Sequence, residues 1–480
     1  MTGYHHAGRE THSREGRSAM RSTTLSFSRR SITMASVSGI RCTPGMTARA
    51  ILFLFLFVGV ATAQEPDTAK ERRMQWFADA KLGIFIHWGI YAVNGIDESW
   101  SFYNGYLTYD DYMKQLKGFT AAHYDPDAWA RLIRESGARY AVLTGKHHDG
   151  VALWDTRQSD LSVVKQTPAA RDLVAPFCDA LRKQDLKVGL YFSHLDWSHP
   201  DYPHFTRTEN RYASDSVRWN RFLKFQRAQI EELATRFHPD LFWFDGDWDY
   251  SADQWRAHEL RGEIAQWLPR GIVNSRINGY GDYDTPEQGV PITRPASRWW
   301  ELCMTMNDAW GYQGNDRNYK TPNQIIRILV DCISMGGNLL LDIGPKEDGS
   351  IAAEQANILR ELGRWTGKHR EAIYGTVAGI PKDYFYGPSA LSKDRSTLFL
   401  FLDGRPAGPI LIKGLKNRIN RAWVVGNGTK LESKIMMKQY WSTVPGLVYV
   451  DVPGQALDKE VTVIAVLLDG PIDLYRESGK

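Results

Sequence analysis

The chain has 480 residues, of which 43% are hydrophobic and 24% are charged. This length and composition predict one large globular domain with a smaller one, and exclude disordered, collagen-like and polytopic membrane proteins. Residues 1–50 hold eight Arg and two Glu and so carry a charge of +6; because the total is +4, the remaining chain carries −2. That nearly neutral body excludes the basic surface of a nucleic-acid-binding protein. The 17 Trp and 22 Tyr are typical of proteins that stack rings on sugars, although such residues also fill large cores.

The first predicted element is a secretory signal peptide. Its apolar core spans residues 50–60, directly after Arg49, and small residues precede an expected cleavage site before Gln64. A membrane-spanning helix needs about 20 apolar residues, so this run is too short to cross a bilayer. Translation starting at Met46 would leave a signal of ordinary length, while the alternative is a long basic extension over residues 1–45. We therefore expect residues 1–63 to be a leader and the protein to be exported to the periplasm or the extracellular space.

We expect the larger domain over residues 65–370. Between residues 80 and 370, short apolar runs alternate with amphipathic helical patterns. Continuous apolar runs are typical of strands buried on both faces of a parallel sheet. The alternation predicts an α/β fold of the TIM-like (β/α) barrel type, since the alternative, a doubly wound open sheet, is not accompanied by a GxGxxG motif. The predicted strands are Ile84–Trp88, Tyr140–Leu143, Val188–Phe192, Leu241–Phe244, Ile272–Asn274 and Leu339–Ile343.

Three helices in this region are predicted from their end signals and apolar stripes. One begins at Asp125-Pro126, with Asp as cap and Pro at the first helical position, and stops at Gly137. A second runs from about Ser216 to Phe237. A third runs from Pro322 to Met335 and ends at a Gly-Gly pair.

After about Gly375, β-branched and alternating runs replace the helical spacing, separated by Gly, Pro and Asn turns. This pattern predicts a small antiparallel β-sandwich domain over residues 375–470. Its expected strands are Thr397–Leu402, Ile410–Ile412, Ala422–Val425, Leu447–Val452 and Thr462–Leu467.

Polar side chains follow five of the predicted barrel strands where each strand ends. In a (β/α) barrel the functional groups lie at the carboxyl ends of the strands, so we expect these side chains to share one rim. They include His87, the run from Lys146 to Gly150, Tyr191, Asp245 between Trp243 and Trp248, and the run from Asn274 to Arg276.

The histidines of this rim favour hydrogen bonds to sugar hydroxyls over a metal site. Adjacent residues on a strand point to opposite faces, which predicts that His147 and His148 do not bind one ion, and no HxH or HExxH motif accompanies them. We therefore expect no metal. Cys178, Cys303 and Cys332 are widely spaced and are interpreted as buried thiols.

Carboxylates on this rim suggest glycoside cleavage, which needs one carboxyl group to attack or activate water and another to protonate the leaving oxygen. Asp245 ends an apolar strand and is the first candidate. Its partner is either Glu287, in a Pro- and Gly-bounded loop that could swing over the site, or Glu301, which sits among aromatic residues and could instead be a buried support.

The sequence resembles the retaining α-L-fucosidases of glycoside hydrolase family 29 over about residues 74–468. Five segments, in the expected order, carry the resemblance: WFADAKLGIFIHWGIYAV, YAVLTGKHHDGVALWDT, VGLYFSHLDW, DLFWFDGDW and GGNLLLDIGP. The resemblance implies a barrel of seven or eight strands followed by a β-sandwich. It also implies an exo-acting enzyme that releases α-L-fucose from fucosylated oligosaccharides or glycoconjugates by double displacement, without a cofactor.

By this resemblance Asp245 matches the nucleophile and Glu287 the acid/base, with Glu301 as the alternative. The mechanism it implies has Glu287 protonated by an apolar setting. Asp342 stands where an Asn is more usual, with no expected catalytic consequence. Positions that match substrate-binding residues are His87, His147, His148, Tyr191, Trp243, Arg276, Glu98 and Trp100.

Two other functions remain open at the level of sequence. Fold alone does not determine the sugar, so a barrel hydrolase for a different sugar is one alternative. The other is a non-catalytic fucose-binding or carbohydrate-binding protein, in which the carboxylates only accept hydrogen bonds. The sequence does not indicate an oligomeric state.

Overall fold

The computed structural model describes residues 68–476. The predicted leader lies outside these residues. None of the helices within the described range is long and apolar enough to cross a membrane.

A seven-stranded, wholly parallel sheet forms the larger part of the fold. Its strands are β1 Leu82–Ile86, β2 Tyr140–Lys146, β3 Lys187–Ser193, β4 Leu241–Asp245, β5 Ile272–Val273, β6 Glu301–Thr305 and β7 Asn338–Ile343. They are hydrogen-bonded in the order β5-β4-β3-β2-β1-β7-β6. Nearly every strand residue is buried, as expected for strands that pack on both faces. The predicted barrel with seven or eight strands is confirmed, and β6 is a strand that the apolar pattern did not predict.

The segment from Tyr283 to Glu287 closes the gap between β5 and β6. It makes parallel bridges from Tyr283 to Asn274 on one side, and from Asp284 to Trp300 and Glu287 to Cys303 on the other. The segment takes the place of a further strand in the barrel wall. Glu287 is therefore not in a loop that swings over the site, and that prediction is wrong.

Twelve α-helices accompany these strands in the described part of the chain. They are α1 Thr68–Ala80, α2 Trp100–Tyr103, α3 Tyr109–Met113, α4 Pro126–Glu135, α5 Val163–Gln166, α6 Val174–Lys183, α7 Ser216–Phe237, α8 Ala252–Trp255, α9 Ala257–Trp267, α10 Pro322–Ser334, α11 Ala353–Lys368 and α12 Arg370–Ile373.

The three predicted helices are confirmed as α4, α7 and α10. Asp125 caps α4 because its side chain accepts a hydrogen bond from the Ala128 amide at 2.9 Å. Thr321 and Gln324 form a reciprocal capping box at the start of α10, with Pro322 at the first helical position.

Two antiparallel sheets follow the barrel. Their strands are β8 Val377–Ala378, β9 Ser389–Leu391, β10 Thr397–Asp403, β11 Ile410–Ile412, β12 Ile419–Val424, β13 Lys430–Leu431, β14 Ser433–Met436, β15 Leu447–Val450 and β16 Val461–Leu468. One sheet has the order β13-β12-β16-β10-β9-β8 and the other β11-β15-β14. Residues of both sheets, among them Leu400, Ile464, Ile412 and Val450, share one hydrophobic core. The predicted antiparallel sandwich is confirmed.

Candidate active site

Asp245 is the last residue of β4 and lies at the carboxyl edge of the parallel sheet. Its Oδ1 accepts a hydrogen bond from Nη1 of Arg276 at 2.7 Å, and its Oδ2 accepts one from the Tyr191 hydroxyl at 3.0 Å. The His148 Nε2 atom lies 3.7 Å from the same Oδ2. A guanidinium and a hydroxyl donor hold the carboxylate in one orientation, which suits a nucleophile.

Arg276 joins the two predicted carboxylates. While Nη1 contacts Asp245, Nη2 donates to Oε2 of Glu287 at 2.6 Å, and Nε donates to the Thr285 hydroxyl at 3.0 Å. The guanidinium lies over the Trp243 ring, 4.5 Å from its centroid. Burial acts to lower the pKa of Arg276, but the Asp245 and Glu287 carboxylates outweigh it and raise that pKa. Arg276 is thus a permanent cation placed between two carboxylates.

Glu287 is exposed, and its backbone is held on β6. The Cys303 amide donates to the Pro286 carbonyl at 3.0 Å, and the Gln288 amide donates to the Cys303 carbonyl at 2.9 Å. The Glu287 side chain is 42% exposed and ion-paired with Arg276. The expected apolar setting of this carboxyl group is therefore wrong, because its neighbours are a guanidinium and solvent.

Glu301 lies elsewhere in the barrel. It is the first residue of β6, so it sits at the amino end of its strand, and it is completely buried. Its two oxygens accept hydrogen bonds from the Tyr140 hydroxyl and, at 3.0 Å, from Nε1 of Trp243. Burial raises the pKa of Glu301 to about 7. These contacts are those of a buried support beneath Trp243.

The two adjacent histidines both face the site. The centroids of the His147 and His148 rings are 4.2 Å apart, so the prediction that they point to opposite faces is wrong. The reason is that β2 ends at Lys146, after a register irregularity that begins at Thr144. Strand alternation does not extend into the turn that follows.

The tautomer of His148 follows from its contacts. The Ser193 hydroxyl donates to the Leu195 carbonyl at 2.8 Å, so its oxygen is left to accept the proton of His148 Nδ1, 2.6 Å away. Burial first, and then His87, Lys146 and Arg276, lower the pKa of His148 to about 3. The ring is therefore neutral and offers Nε2 as an acceptor beside Asp245.

His87 directly follows β1 and is paired with Asp342 of β7. Their Nδ1 and Oδ1 atoms are 2.6 Å apart, and Oδ2 of Asp342 is buried without a hydrogen-bond partner in the described structure. Burial raises the pKa of Asp342 well above its usual value and lowers that of His87. The pair is therefore neutral overall and shares one proton, and Asp342 orients a ring at the edge of the site.

Glu98 and Trp100 reach the same site from the turn and short helix after β1. Glu98 is buried, and its Oε1 accepts the Gly311 amide at 2.5 Å. Trp100 packs edge-on against His148, with centroids 5.3 Å apart. Between them Ser99 contacts Nδ1 of His147 at 2.6 Å. The predicted residues thus converge, and Glu301 is hydrogen-bonded only to Trp243 among them.

Three further residues position this site, and the sequence assigned a role to none of them. Thr285, Ser99 and Ser193 bind Arg276, His147 and His148, respectively. Ser193 and Ser99 stand close in sequence to residues that the sequence analysis selected, so their places at the site were detectable. Thr285 carries no such signal. Trp243 is only 2% exposed and supports Arg276, whereas Trp248 is 54% exposed and offers an open ring face.

No group of three or more His, Cys, Asp or Glu side chains that could hold a metal occurs in residues 68–476. Cys178, Cys303 and Cys332 are buried and form no disulfide, which confirms their interpretation as buried thiols.

A parallel barrel in which one guanidinium bridges two carboxylates at the rim supplies the pair of groups that defines a glycoside hydrolase site. The family model for α-L-fucosidase matches residues 60–371. A putative α-L-fucosidase of Caenorhabditis elegans is 31% identical over 68% of this chain and 72% of its own, and human tissue α-L-fucosidase is 30% identical over 69% and 79%. The chain belongs to the α-L-fucosidase family.

Solved structures agree with this membership. α-L-Fucosidase isoenzyme 1 from Paenibacillus thiaminolyticus is 34% identical with a TM-score of 0.76, covering 84% of this chain and 100% of its own. A family 29 α-L-fucosidase from Bacteroides thetaiotaomicron, trapped as a covalent intermediate with 2-fluoro-fucosyl fluoride, is 27% identical with a TM-score of 0.73 over 83% and 96%.

Proposed function

We propose that this protein is an exo-acting, retaining α-L-fucosidase in which Asp245 is the nucleophile and Glu287 the acid/base. The observation that supports these roles most directly is the guanidinium of Arg276, which contacts both carboxylates with adjacent nitrogens at 2.7 and 2.6 Å. Retaining glycosidases place their two carboxyl groups about 5 Å apart, a span that one bridging guanidinium matches.

In the first step, an Asp245 oxygen attacks the anomeric carbon while the bond to the leaving oxygen breaks. Glu287 gives its proton to that oxygen, which leaves as an alcohol, and a covalent fucosyl ester remains on Asp245. A sugar bound above Asp245 would remove water from the exposed Glu287 carboxyl and favour its proton-carrying form. Substrate binding thus gives the Glu287 carboxyl the water-poor surroundings that it lacks in the free site.

In the second step, Glu287 takes a proton from water as the water oxygen attacks the anomeric carbon. The ester bond breaks, fucose leaves with its configuration retained, and Asp245 regains its carboxylate. Throughout, Arg276 and the Tyr191 hydroxyl stabilise negative charge on Asp245 whenever the ester is not formed.

The ring hydroxyls of fucose have acceptors and donors around this carboxylate pair. We assign their recognition to His87, His147, His148 and Glu98, all buried at the rim. Trp100 offers an apolar face beside His148, and Trp243 supports the guanidinium from below. The substrate would be a fucosylated oligosaccharide or glycoconjugate.

We further propose that the protein is exported through the predicted signal, with residues 65–370 as the catalytic domain and 375–470 as the sandwich domain. The periplasm or the extracellular space would then be its location. Amino-terminal sequencing of exported protein should find Gln64 as the first residue. Mature protein that keeps the apolar run at residues 50–60 would contradict this proposal.

The catalytic roles are tested with two matched variants, Glu287→Gln and Glu301→Gln. General acid–base groups contribute about 10²–10⁴-fold to rate. Glu287→Gln should therefore lose that factor on a natural fucosyl oligosaccharide and much less on an aryl fucoside, whose leaving group needs no proton. Glu301→Gln should lose activity equally on both substrates, because it acts through folding.

Rescue by azide distinguishes the role of Asp245 from that of Glu287. With Glu287→Ala it should restore turnover of the aryl fucoside and give fucosyl azide of retained configuration. With Asp245→Ala any azide product should be inverted, because azide would occupy the nucleophile's position. If Glu301→Gln instead shows the dependence on leaving group and Glu287→Gln does not, the acid/base assignment is wrong. Fucose binding without turnover by the unaltered protein would indicate a binding protein.

A further inference from the structure

A cleft of about 720 Å³ lies at the amino ends of the barrel strands. Lys81, in its wall, directly precedes β1, whereas His87 directly follows the same strand. The cleft and the candidate active site are therefore at opposite ends of the sheet. Helix α1, the residues before β6 and β7, and strand β8 form the other walls.

The cleft has an excess of positive charge. Its lining includes five cationic and two anionic side chains. Both anionic side chains already have cationic partners: Asp79 binds Nζ of Lys393 at 2.7 Å, and Glu71 is paired with Arg298. Three cations remain without a carboxylate of their own.

These three cations are Arg72, Lys81 and Arg294. In the described part of the chain, none of their side chains forms a hydrogen bond or an ion pair. Arg72 and Arg294 are exposed at the cleft, so water can solvate them. Their charges are available to a ligand without breaking an existing contact.

Lys81 differs because it is only 2% exposed. Its backbone is held in place, with a φ of 61° and its carbonyl accepting from the Leu339 amide at 2.9 Å. Burial, helped by Lys393 and Arg294 and opposed by Asp79, lowers the pKa of Lys81 to about 8. The Lys81 side chain reaches the cleft with little water around it, and an anion in the cleft would supply a charged acceptor for its ammonium group.

We propose that this cleft binds a tetrahedral oxyanion, phosphate or sulfate, either free or as a monoester. Two guanidinium groups and one ammonium group line the cleft, and the oxygens of a tetrahedral oxyanion accept hydrogen bonds from donors of both kinds. The site is separate from the fucosidase site and does not depend on the proposed catalytic roles.

The test uses the mature protein, titrated with sodium phosphate or sodium sulfate at constant ionic strength set with chloride. Calorimetry should show saturable binding, and the melting temperature should rise with the logarithm of ligand concentration. Arg294→Gln should weaken binding about tenfold, because it removes one charged donor. The control is Arg131→Gln, because Arg131 is exposed on α4 and forms no ion pair within the described chain; this variant should bind like the unaltered protein.

Lys81→Met should abolish binding. If that variant does not fold, Arg72→Gln is used instead and should weaken binding as much as Arg294→Gln does. Selenate soaked into crystals should give an anomalous peak between Lys81 and Arg294. Glucose 6-phosphate and glucose 6-sulfate distinguish a site open to monoesters from one that takes only the free ion.

The proposal is wrong if phosphate and sulfate stabilise the protein no more than chloride, if Arg131→Gln weakens binding as much as Arg294→Gln, or if selenate occupies another place. The kcat and KM on an aryl fucoside should not change on saturation with phosphate. The Asp245→Ala variant should lose fucosidase activity and still bind phosphate, which would show that the two sites are independent.

Discussion

Burial changes the charge of single side chains around the candidate site. It raises the pKa of Glu98 to about 8 and that of Asp149 to about 6, and it lowers that of His148 to about 3. Near neutral pH, Glu98 therefore carries a proton and the His148 ring is uncharged. Neutral donors and acceptors suit sugar hydroxyls, which carry no charge themselves.

Glu98 predicts a pH dependence of stability. The folded protein keeps its proton up to about pH 8, whereas the unfolded chain releases it near the ordinary value of 4.5. The native state binds more protons between these values, so this group makes the free energy of unfolding fall as pH rises through that window. Glu98→Gln should remove a decline of up to about 1.4 kcal/mol per pH unit, measured by urea unfolding between pH 5 and pH 8.

The matched control for Glu98 is Glu354→Gln on α11, where the glutamate is exposed. Its pH profile of unfolding should overlay that of the unaltered protein. If Glu98→Gln keeps the full decline with pH, the carboxyl of Glu98 is not held protonated in the folded state.

The strands of the parallel sheet differ in whether their own sequence predicts them. Apolar runs identified six of the seven parallel strands, because both faces of each are buried. Strand β6 was missed because it begins with Glu301, a residue that is compatible with a buried strand only through its bonds to Tyr140 and Trp243. Those donors come from other strands, so no local pattern shows them.

The cap of α4 provides a test at the level of one element. Asp125→Ala removes the acceptor of the Ala128 amide and should lower the free energy of unfolding by about 1 kcal/mol. Asp125→Asn should recover most of that loss. Asp127→Ala is the control: its exposed pair with Lys183 should be worth less than about 0.5 kcal/mol. Equal losses for Asp125→Ala and Asp127→Ala in urea unfolding would rule out the cap.

Helix α11 of the barrel is attached to the sandwich by buried and charged contacts. Nε1 of Trp365 donates to the Val461 carbonyl at 2.8 Å, and Nζ of Lys368 binds Asp458 at 2.6 Å. The Trp365 side chain is fully buried. The two parts of the described structure therefore stabilise each other through this helix.

Trp365→Ala should lower the free energy of unfolding by about 3–5 kcal/mol, since it empties a buried aromatic site and leaves the Val461 carbonyl without its donor. Tyr106→Ala, at a position that is 73% exposed, should have little effect on unfolding. The KM of the folded Trp365→Ala protein on an aryl fucoside should be unchanged, because the contact is distant from Asp245. A stability equal to that of the Tyr106→Ala variant would show that this contact does not join the two parts.

At the scale of the whole molecule, the sequence by itself determined the barrel, the sandwich and the residues that gather at the rim. Apolar periodicity and end signals are local, and the carboxyl ends of parallel strands necessarily meet at one edge. Only the tertiary structure shows that the Arg276 guanidinium contacts both Asp245 and Glu287, and not Glu301. That arrangement depends on Arg276 and on the segment from Tyr283 to Glu287, whose hydrogen bonds join parts of the chain that are distant in sequence. The His147 and His148 rings lie side by side because β2 ends before them. The register at that end of β2 is set by its pairing with β3 rather than by the residues of β2 alone.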